Sequence, residues 1–458
     1  MTVNIMWNQQ LIEKYNITGP RYTSYPTALQ FSDEFTVPDY KKAFVRTDQA
    51  EPLGLYIHIP FCENICFYCA CNKVVTKHKD RAERYLKALL IEAKKIAPLV
   101  AGRKVIHMHW GGGSPTFLSN HQIAYLFNSL REIFDFDLNA GEFAIEVDPR
   151  SIDRNTIPVL EQLGFNRLSV GVQDFNPEVQ KAVNRIHSKS DVRALMLQAR
   201  RYGFESVSMD FIYGLPFQTP KSFKESMQAV VQMAPDRVSV FNYAHLPSRF
   251  KSQRRINRYD LPEGNEKLKM MQAAIEVLTD AGYVFIGMDH FALPHDPLTQ
   301  RQRSGELHRN FQGYSSHRNC DLVGLGVSAI SHVDATYSQN QRDLDGYYKA
   351  VENDQVPLWR GCHQDNDDIL RGEIIEQLIC HFQLQYDAVE ASYGIDFTDY
   401  FEDELMQLKS YESDGLLQLK PDGIVINYVG RLLIRNICMV FDRYLQEINQ
   451  IQNYSKSI

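Results

Sequence analysis

The chain lacks any hydrophobic run approaching the length of a bilayer crossing, and its polar opening MTVNIMWNQQLIEKYN has no apolar signal-peptide segment. Neither membrane insertion nor secretion is expected, and a cytoplasmic location is. The chain also lacks a basic excess. Its 49 Lys and Arg stand against 56 Asp and Glu, a net charge of −7, which argues against a general nucleic-acid binder. Internal repeats and low-complexity segments are absent. So is the even spread of cysteine pairs that staples a small secreted domain: Cys62, Cys66, Cys69 and Cys71 crowd into ten positions, while Cys320, Cys362, Cys380 and Cys438 are scattered. A tight cluster in a large chain from a reducing compartment points to a metal or redox centre. What remains is 458 residues, 44% hydrophobic and 23% charged, enough for two or three domains and a large core.

From residue 53 onward, short β-rich runs alternate with amphipathic helices. Strands are predicted at Leu53–Ile59, His107–Trp110, Glu142–Val147, Arg167–Val172, Val207–Ile212 and Arg237–Tyr243, with helices over Asp80–Ala97 and Asn120–Phe134. Gly164, Gly203 and Gly282 mark helix ends. Six βα units in a row imply an α/β fold with a parallel sheet, as a partial (β/α)6 barrel or an open doubly wound sheet. The strands carry a polar face, with Tyr56, His58, Glu146, Ser169, Gln173 and Asp210 alternating with apolar residues. Parallel strands buried on both faces would be apolar throughout, so this pattern favours a barrel with a ligand-filled lumen. Beyond residue 290 a loop-rich stretch leads to Leu322–Ser331 and then to helices. A hairpin around Pro421-Asp422-Gly423 gives a mostly helical, winged-helix-like C-terminal domain. The expected division is an N-terminal arm over 1–46, the barrel with its extension over 47–355, and the helical domain over 356–458.

Cys62-x3-Cys66-x2-Cys69 follows the first strand directly. Structural zinc sites combine separate ligand pairs to close a tetrahedron, and no second pair is evident here. Three thiolates on one loop suit a [4Fe–4S] cluster with one iron left open. The carboxyl end of a barrel strand is also where such folds place their chemistry.

CENICFYC, together with GPRYTSYP, YIHIPFC, HWGGGSPT, IEVDPR, GVQDF, FIYGLP, FNYAHLP, HRNFQGY and GRLLIRNIC, resembles the radical S-adenosylmethionine (SAM) enzymes. Within that superfamily the motifs are similar to the oxygen-independent branch acting on coproporphyrinogen III in bacterial haem biosynthesis. The resemblance implies a partial (β/α)6 barrel of radical SAM type. It also implies oxidative decarboxylation of two propionates to vinyl groups, giving protoporphyrinogen IX, by 5′-deoxyadenosyl radicals from SAM. The alternative is a haem-binding chaperone of the same superfamily, a branch that typically lacks both Cys71 and the GPRYTSYP arm.

The resemblance assigns Cys62, Cys66 and Cys69 to the cluster, and Tyr56, Tyr68, Gly112 and Glu146 to a first SAM. It assigns Gly113, Ser114, Gln173, Arg185, Asp210, Ala244 and Ile330 to a second, so two SAM per chain are expected. Cys71 is the expected catalytic thiol; in an extended loop it would project away from the other three. Expected partners are coproporphyrinogen III and a flavodoxin-type electron donor, with no nucleic acid, no membrane and a monomeric chain. The four propionates of the substrate call for cations. Arg21 in an arm able to close as a lid, the run Arg249, Lys251, Arg254, Arg255 and Arg258, and Arg309 are the candidates.

Overall fold

The computed structural model describes residues 5–45, 51–318 and 320–446, and the expected boundary at residues 46 and 47 lies outside them. The chain forms two compact units. One comprises 31–273 and 319–363; the other comprises the segments 1–30, 274–318 and 364–458. The units thus assemble from separated segments rather than in the linear order expected from the sequence.

The first unit is built on β1 (Leu53–Ile59), α1 (Arg81–Ile96), β2 (Lys104–Gly112), α2 (Asn120–Ile133), β3 (Glu142–Val147), α3 (Thr156–Leu163), β4 (Arg167–Gln173), α4 (Lys189–Arg201), β5 (Ser206–Tyr213), α5 (Pro220–Met233) and β6 (Arg237–Asn242). Helix α1 forms because Tyr85, Leu86, Leu89, Ala93 and Ile96 fall on one stripe and are buried. A capping box between Ser119 and Gln122 starts α2. Gly164, in the left-handed conformation at φ 103°, ends α3.

Strands β6, β5, β4, β3, β2 and β1 lie side by side and parallel, in the order expected of consecutive βα units. The sheet continues past β1 in a way the sequence pattern left open. β7 (Asp321–Leu325) pairs parallel with β1, and antiparallel β8 (Ile330–Val333), β9 (Thr336–Asn340) and β10 (Leu358–His363) follow. Helix α6 (Leu344–Glu352) joins β9 to β10.

Burial alternates along β3, β4 and β5, with Phe143, Ile145, Val147, Val170, Val172, Met209 and Phe211 sealed and Glu146, Ser169, Gly171, Gln173 and Asp210 half-buried. Register sets these polar positions beside one another: Tyr56 opposite His109, Glu146 opposite Ser169, Gly171 opposite Asp210, and Asp210 opposite Ser239. Arg167 departs from this row. It is buried and pairs with Glu142 at 2.8 Å, at the opposite end of the strands.

The second unit contains α7 (Asn366–His381), β11 (Gln383–Gln385), α8 (Glu402–Ser413), β12 (Leu417–Lys420), β13 (Gly423–Ile426) and α9 (Ile434–Val440). The expected hairpin is β12–β13, and β11 adds a third strand on β13. The arm docks on this unit. Arg435 donates to the Pro20 carbonyl at 2.9 Å, the Tyr22 hydroxyl to Asp442 at 3.0 Å, and Arg21 pairs with Asp289 at 2.6 Å. No helix among the described residues is long and apolar enough to cross a membrane.

Candidate functional site

The cysteine loop leaves β1 through Pro60 and is closed at its base by Phe61 and Cys62 pairing with Val74 and Val75. Three residues hold it from outside and Lys73 braces it from within. Asn184 donates to the Ile65 carbonyl at 2.7 Å, Ser252 to the Cys69 carbonyl at 2.9 Å, Gln253 to the Tyr68 carbonyl at 3.0 Å, and Lys73 to the Cys69 carbonyl at 3.0 Å. Phe67 and Tyr68 pack on the buried group Val179, Val183, Leu215, Tyr243 and Ile256. The loop is therefore anchored on both its polar and its apolar side.

Cys62, Cys66, Cys69 and Cys71 all line one cleft, with Tyr68, Gly112, Gly113, Ser114, Glu146, Gln173, Arg185 and Asp210 around it. The expectation that Cys71 points away is corrected: the loop folds back, and the Cys71 thiol hydrogen-bonds the Cys69 sulfur. That contact holds Cys69 down at about 6 and pushes Cys71 up. Burial pushes Cys62 up to about 12, with the neighbouring Cys69 and Cys66 adding to it.

Tyr56, Ala244 and Ile330 are not part of this cleft wall. Tyr56 stacks on His109 at 6.0 Å and meets His58 Nδ1 at 3.1 Å, while the Ala244 carbonyl accepts from Gln253 at 3.2 Å. Ile330 lies in β8, opposite Gln339. His58 is a satisfied core histidine: its Nε2 meets the Asn72 carbonyl at 3.1 Å, and burial lowers its pKa.

The glycine turn is forced by close approach. A Cβ on Gly112 would lie 2.7 Å from the His58 ring, and its φ of +116° disfavours any other residue. A Cβ on Gly113 would lie 2.5 Å from the Pro60 carbonyl oxygen. The backbone of β2 thus runs against the root of the cysteine loop. Beside it, Glu146 Oε1 meets His109 Nε2 at 3.1 Å.

Sequence reasoning missed an ionic group at the end of β3. Asp148 Oδ2 accepts from Arg150 Nη2 at 2.6 Å and from Arg185 Nη1 at 3.1 Å. Burial alone would raise the Asp148 carboxyl, but Arg185 and Arg150 outweigh it and hold it at about 2. Both guanidinium groups also reach the Cys66 sulfur, each at 3.4 Å. Arg185 spends two further bonds on the Gly171 carbonyl, so four of its five N–H groups are committed. The only signal was the tripeptide Asp148-Pro149-Arg150 just past a strand end. Asp210 accepts from Ser169 at 2.9 Å, and burial raises it to about 6.

The basic run is only partly where expected. Arg255 rests over the Phe67 ring at 5.2 Å and Arg254 donates to the Pro247 carbonyl at 3.0 Å, whereas Ser252 and Gln253, just before them, touch the cysteine loop. Arg309, in the other unit, is buried over the Tyr314 ring at 4.6 Å.

Among the described residues no group of three or more His, Cys, Asp or Glu side chains is gathered for a single metal ion. Around one zinc, thiolates stand about 4 Å apart, given Zn–S bonds of about 2.3 Å. Here four cysteines, Cys71 among them, line a shared cleft, with two guanidinium groups beside Cys66. This donor set fits an anionic thiolate-bound cluster larger than one ion. The glycine backbone and the carboxylates further along fit a ligand carrying both ammonium and carboxylate groups.

The family model described as Radical SAM superfamily matches residues 56–230, and that described as HemN C-terminal domain matches 364–433. The chain is 50% identical over 454 residues to the oxygen-independent coproporphyrinogen III oxidase of Salmonella typhimurium, covering 99% of each. It is 49% identical to the Pseudomonas aeruginosa enzyme of the same name, over the full length of both. Among solved structures it superposes on the Escherichia coli coproporphyrinogen III oxidase HemN, a radical SAM enzyme, with a TM-score of 0.93 at 48% identity, covering 96% of this chain and 100% of that one.

Proposed function

The chain belongs to the oxygen-independent coproporphyrinogen III oxidases of the radical SAM superfamily, and from that premise we propose how its residues divide the work. The reaction converts two propionates of coproporphyrinogen III to vinyl groups, giving protoporphyrinogen IX. Each conversion removes a hydrogen atom from the propionate β-carbon, releases carbon dioxide and leaves one electron for an acceptor. The observation that carries this reading is the single cleft shared by the Cys62, Cys66 and Cys69 sulfurs, the Gly112–Gly113 backbone and the Glu146 carboxylate. The full-length match to oxidases does not favour the haem-chaperone alternative.

Cys62, Cys66 and Cys69 would hold the [4Fe–4S] cluster; Tyr56, Tyr68, Gly112 and Glu146 would hold one SAM. When bound, the cluster supplies an electron and SAM a hydrogen-abstracting radical. The residues of the chain orient and shield: the loop anchors at Asn184, Ser252 and Gln253 fix the thiolates, and Phe117 and Val147 line the cleft with apolar surface. A second SAM would take Gly113, Ser114, Gln173 and Asp210, with the one remaining N–H of Arg185; Ala244 and Ile330 would join from beyond the cleft wall. Cys71, at the same cleft, would act on the substrate side of the chemistry. A flavodoxin-type donor, a monomeric chain and a cytoplasmic location complete the reading.

Anaerobic reconstitution with iron, sulfide, SAM, coproporphyrinogen III and a low-potential reductant tests it. The expected products are protoporphyrinogen IX, methionine and 5′-deoxyadenosine. Stable haem binding without any of these would overturn it.

A further inference from the structure

Cys66 differs from the other cysteines of the loop in what touches its sulfur. Arg150 Nη2 and Arg185 Nη1 each donate to it at 3.4 Å, and the Tyr68 hydroxyl also hydrogen-bonds it. The two guanidinium groups share one carboxylate, Asp148, at 2.6 and 3.1 Å. One excess positive charge is therefore left against the sulfur. Screening by water is weak there, since the side chains of Arg150, Arg185 and Asp148 are 17%, 9% and 13% exposed.

A cluster gains one negative charge on reduction. Positive charge and N–H groups on a ligand sulfur stabilise the reduced form more than the oxidised form, and so raise the potential. We propose that Arg150, together with Arg185, raises the reduction potential of the cluster through the Cys66 sulfur, with Asp148 as the counterweight. This rests on the reading that Cys62, Cys66 and Cys69 hold a [4Fe–4S] cluster. It makes Arg150 a tuning residue that needs no contact with SAM or substrate.

The test is a redox titration of the anaerobically reconstituted full chain, without SAM, following the paramagnetic reduced cluster. Iron content is measured on each sample. At the wild-type midpoint, Arg150→Gln should lower the ratio of reduced to oxidised cluster about tenfold, which is about 59 mV for a one-electron couple. Arg150→Lys, which keeps the charge but loses the fork, should fall between the two. Asp148→Asn removes the counterweight and should move the ratio upward. General damage to the site would not send the two substitutions in opposite directions. Unchanged ratios, or shifts of the same sign in Arg150→Gln and Asp148→Asn, would overturn the proposal while leaving the cluster assignment standing. A wild-type chain that takes up no four-iron cluster would overturn the assignment and the proposal with it.

Discussion

Cys71 stands two positions beyond Cys69, yet its thiol bends back onto the Cys69 sulfur and shares the cleft. A residue used in chemistry rather than in cluster assembly should be separable from the ligands. Cys71→Ser is expected to keep the iron content and lose protoporphyrinogen formation, read by metal analysis and product assay on one preparation. Turnover at the wild-type rate would make Cys71 an idle thiol. Gly112 offers a second separation. An added methyl meets the His58 ring at 2.7 Å and must also adopt a φ of +116°. Strain of this kind costs about 1–3 kcal/mol. Gly112→Ala should lower the free energy of unfolding by that amount in denaturant titration, and an unshifted midpoint would contradict it.

Helix α1 is tied to the β7–β9 extension by one buried carboxylate. Glu92 is 2% exposed; its Oε2 accepts from the Gly326 N–H at 2.8 Å and the Tyr347 hydroxyl at 2.5 Å, and its Oε1 from Asn340 at 2.6 Å. Burial raises it from 4.5 to about 7 despite these donors. In the folded chain Glu92 thus holds its proton where the unfolded chain has released it. Its contribution to stability is full below pH 4.5 and is lost as pH rises through 7. A shift of this size corresponds to about 3 kcal/mol. Asp210 and Asp442, both raised to about 6 by burial, act in the same direction. The comparison is therefore between chains. His58, His187, His245 and His381, whose pKa burial lowers, act in the opposite direction in both chains, so the readout is the difference. The stability advantage of wild type over Glu92→Gln should shrink from pH 5 to pH 8. Parallel pH profiles would rule this out.

Each chain must effect two decarboxylations, and one SAM yields one radical, so SAM is either exchanged between steps or held twice. The polar positions lie on separate strands, Glu146 on β3, Gln173 on β4 and Asp210 on β5, and they bound one cleft. Arg185 is largely committed to Asp148, Gly171 and Cys66, which makes Asp210 the cleaner probe of a second site. Losing one charge-assisted contact weakens binding by about 2–3 kcal/mol, roughly 30- to 150-fold. Anaerobic equilibrium dialysis should find two SAM per wild-type chain, and a ratio falling toward one in Asp210→Asn with iron retained. A wild-type ratio of one at saturation excludes paired binding.

Features set by neighbours in sequence were legible without coordinates. The spacing of Cys62, Cys66 and Cys69, the alternation in β3 to β5 and the stripe of α1 are local, so residue order alone places the thiolates on one loop after a strand and the polar residues on one face. The partners of those residues were not legible. Arg150 and Arg185 reach Cys66 from 84 and 119 positions away, and Arg21 finds Asp289 across 268. Which cation meets which acceptor depends on strand register and on how the loops between strands close, and composition carries neither. The seventh parallel strand, β7, lies beside β1 for the same reason: an edge shows no sign in its own sequence of which distant strand will pair with it. Local order thus determined what chemistry the chain carries, and tertiary packing decided which charges surround it.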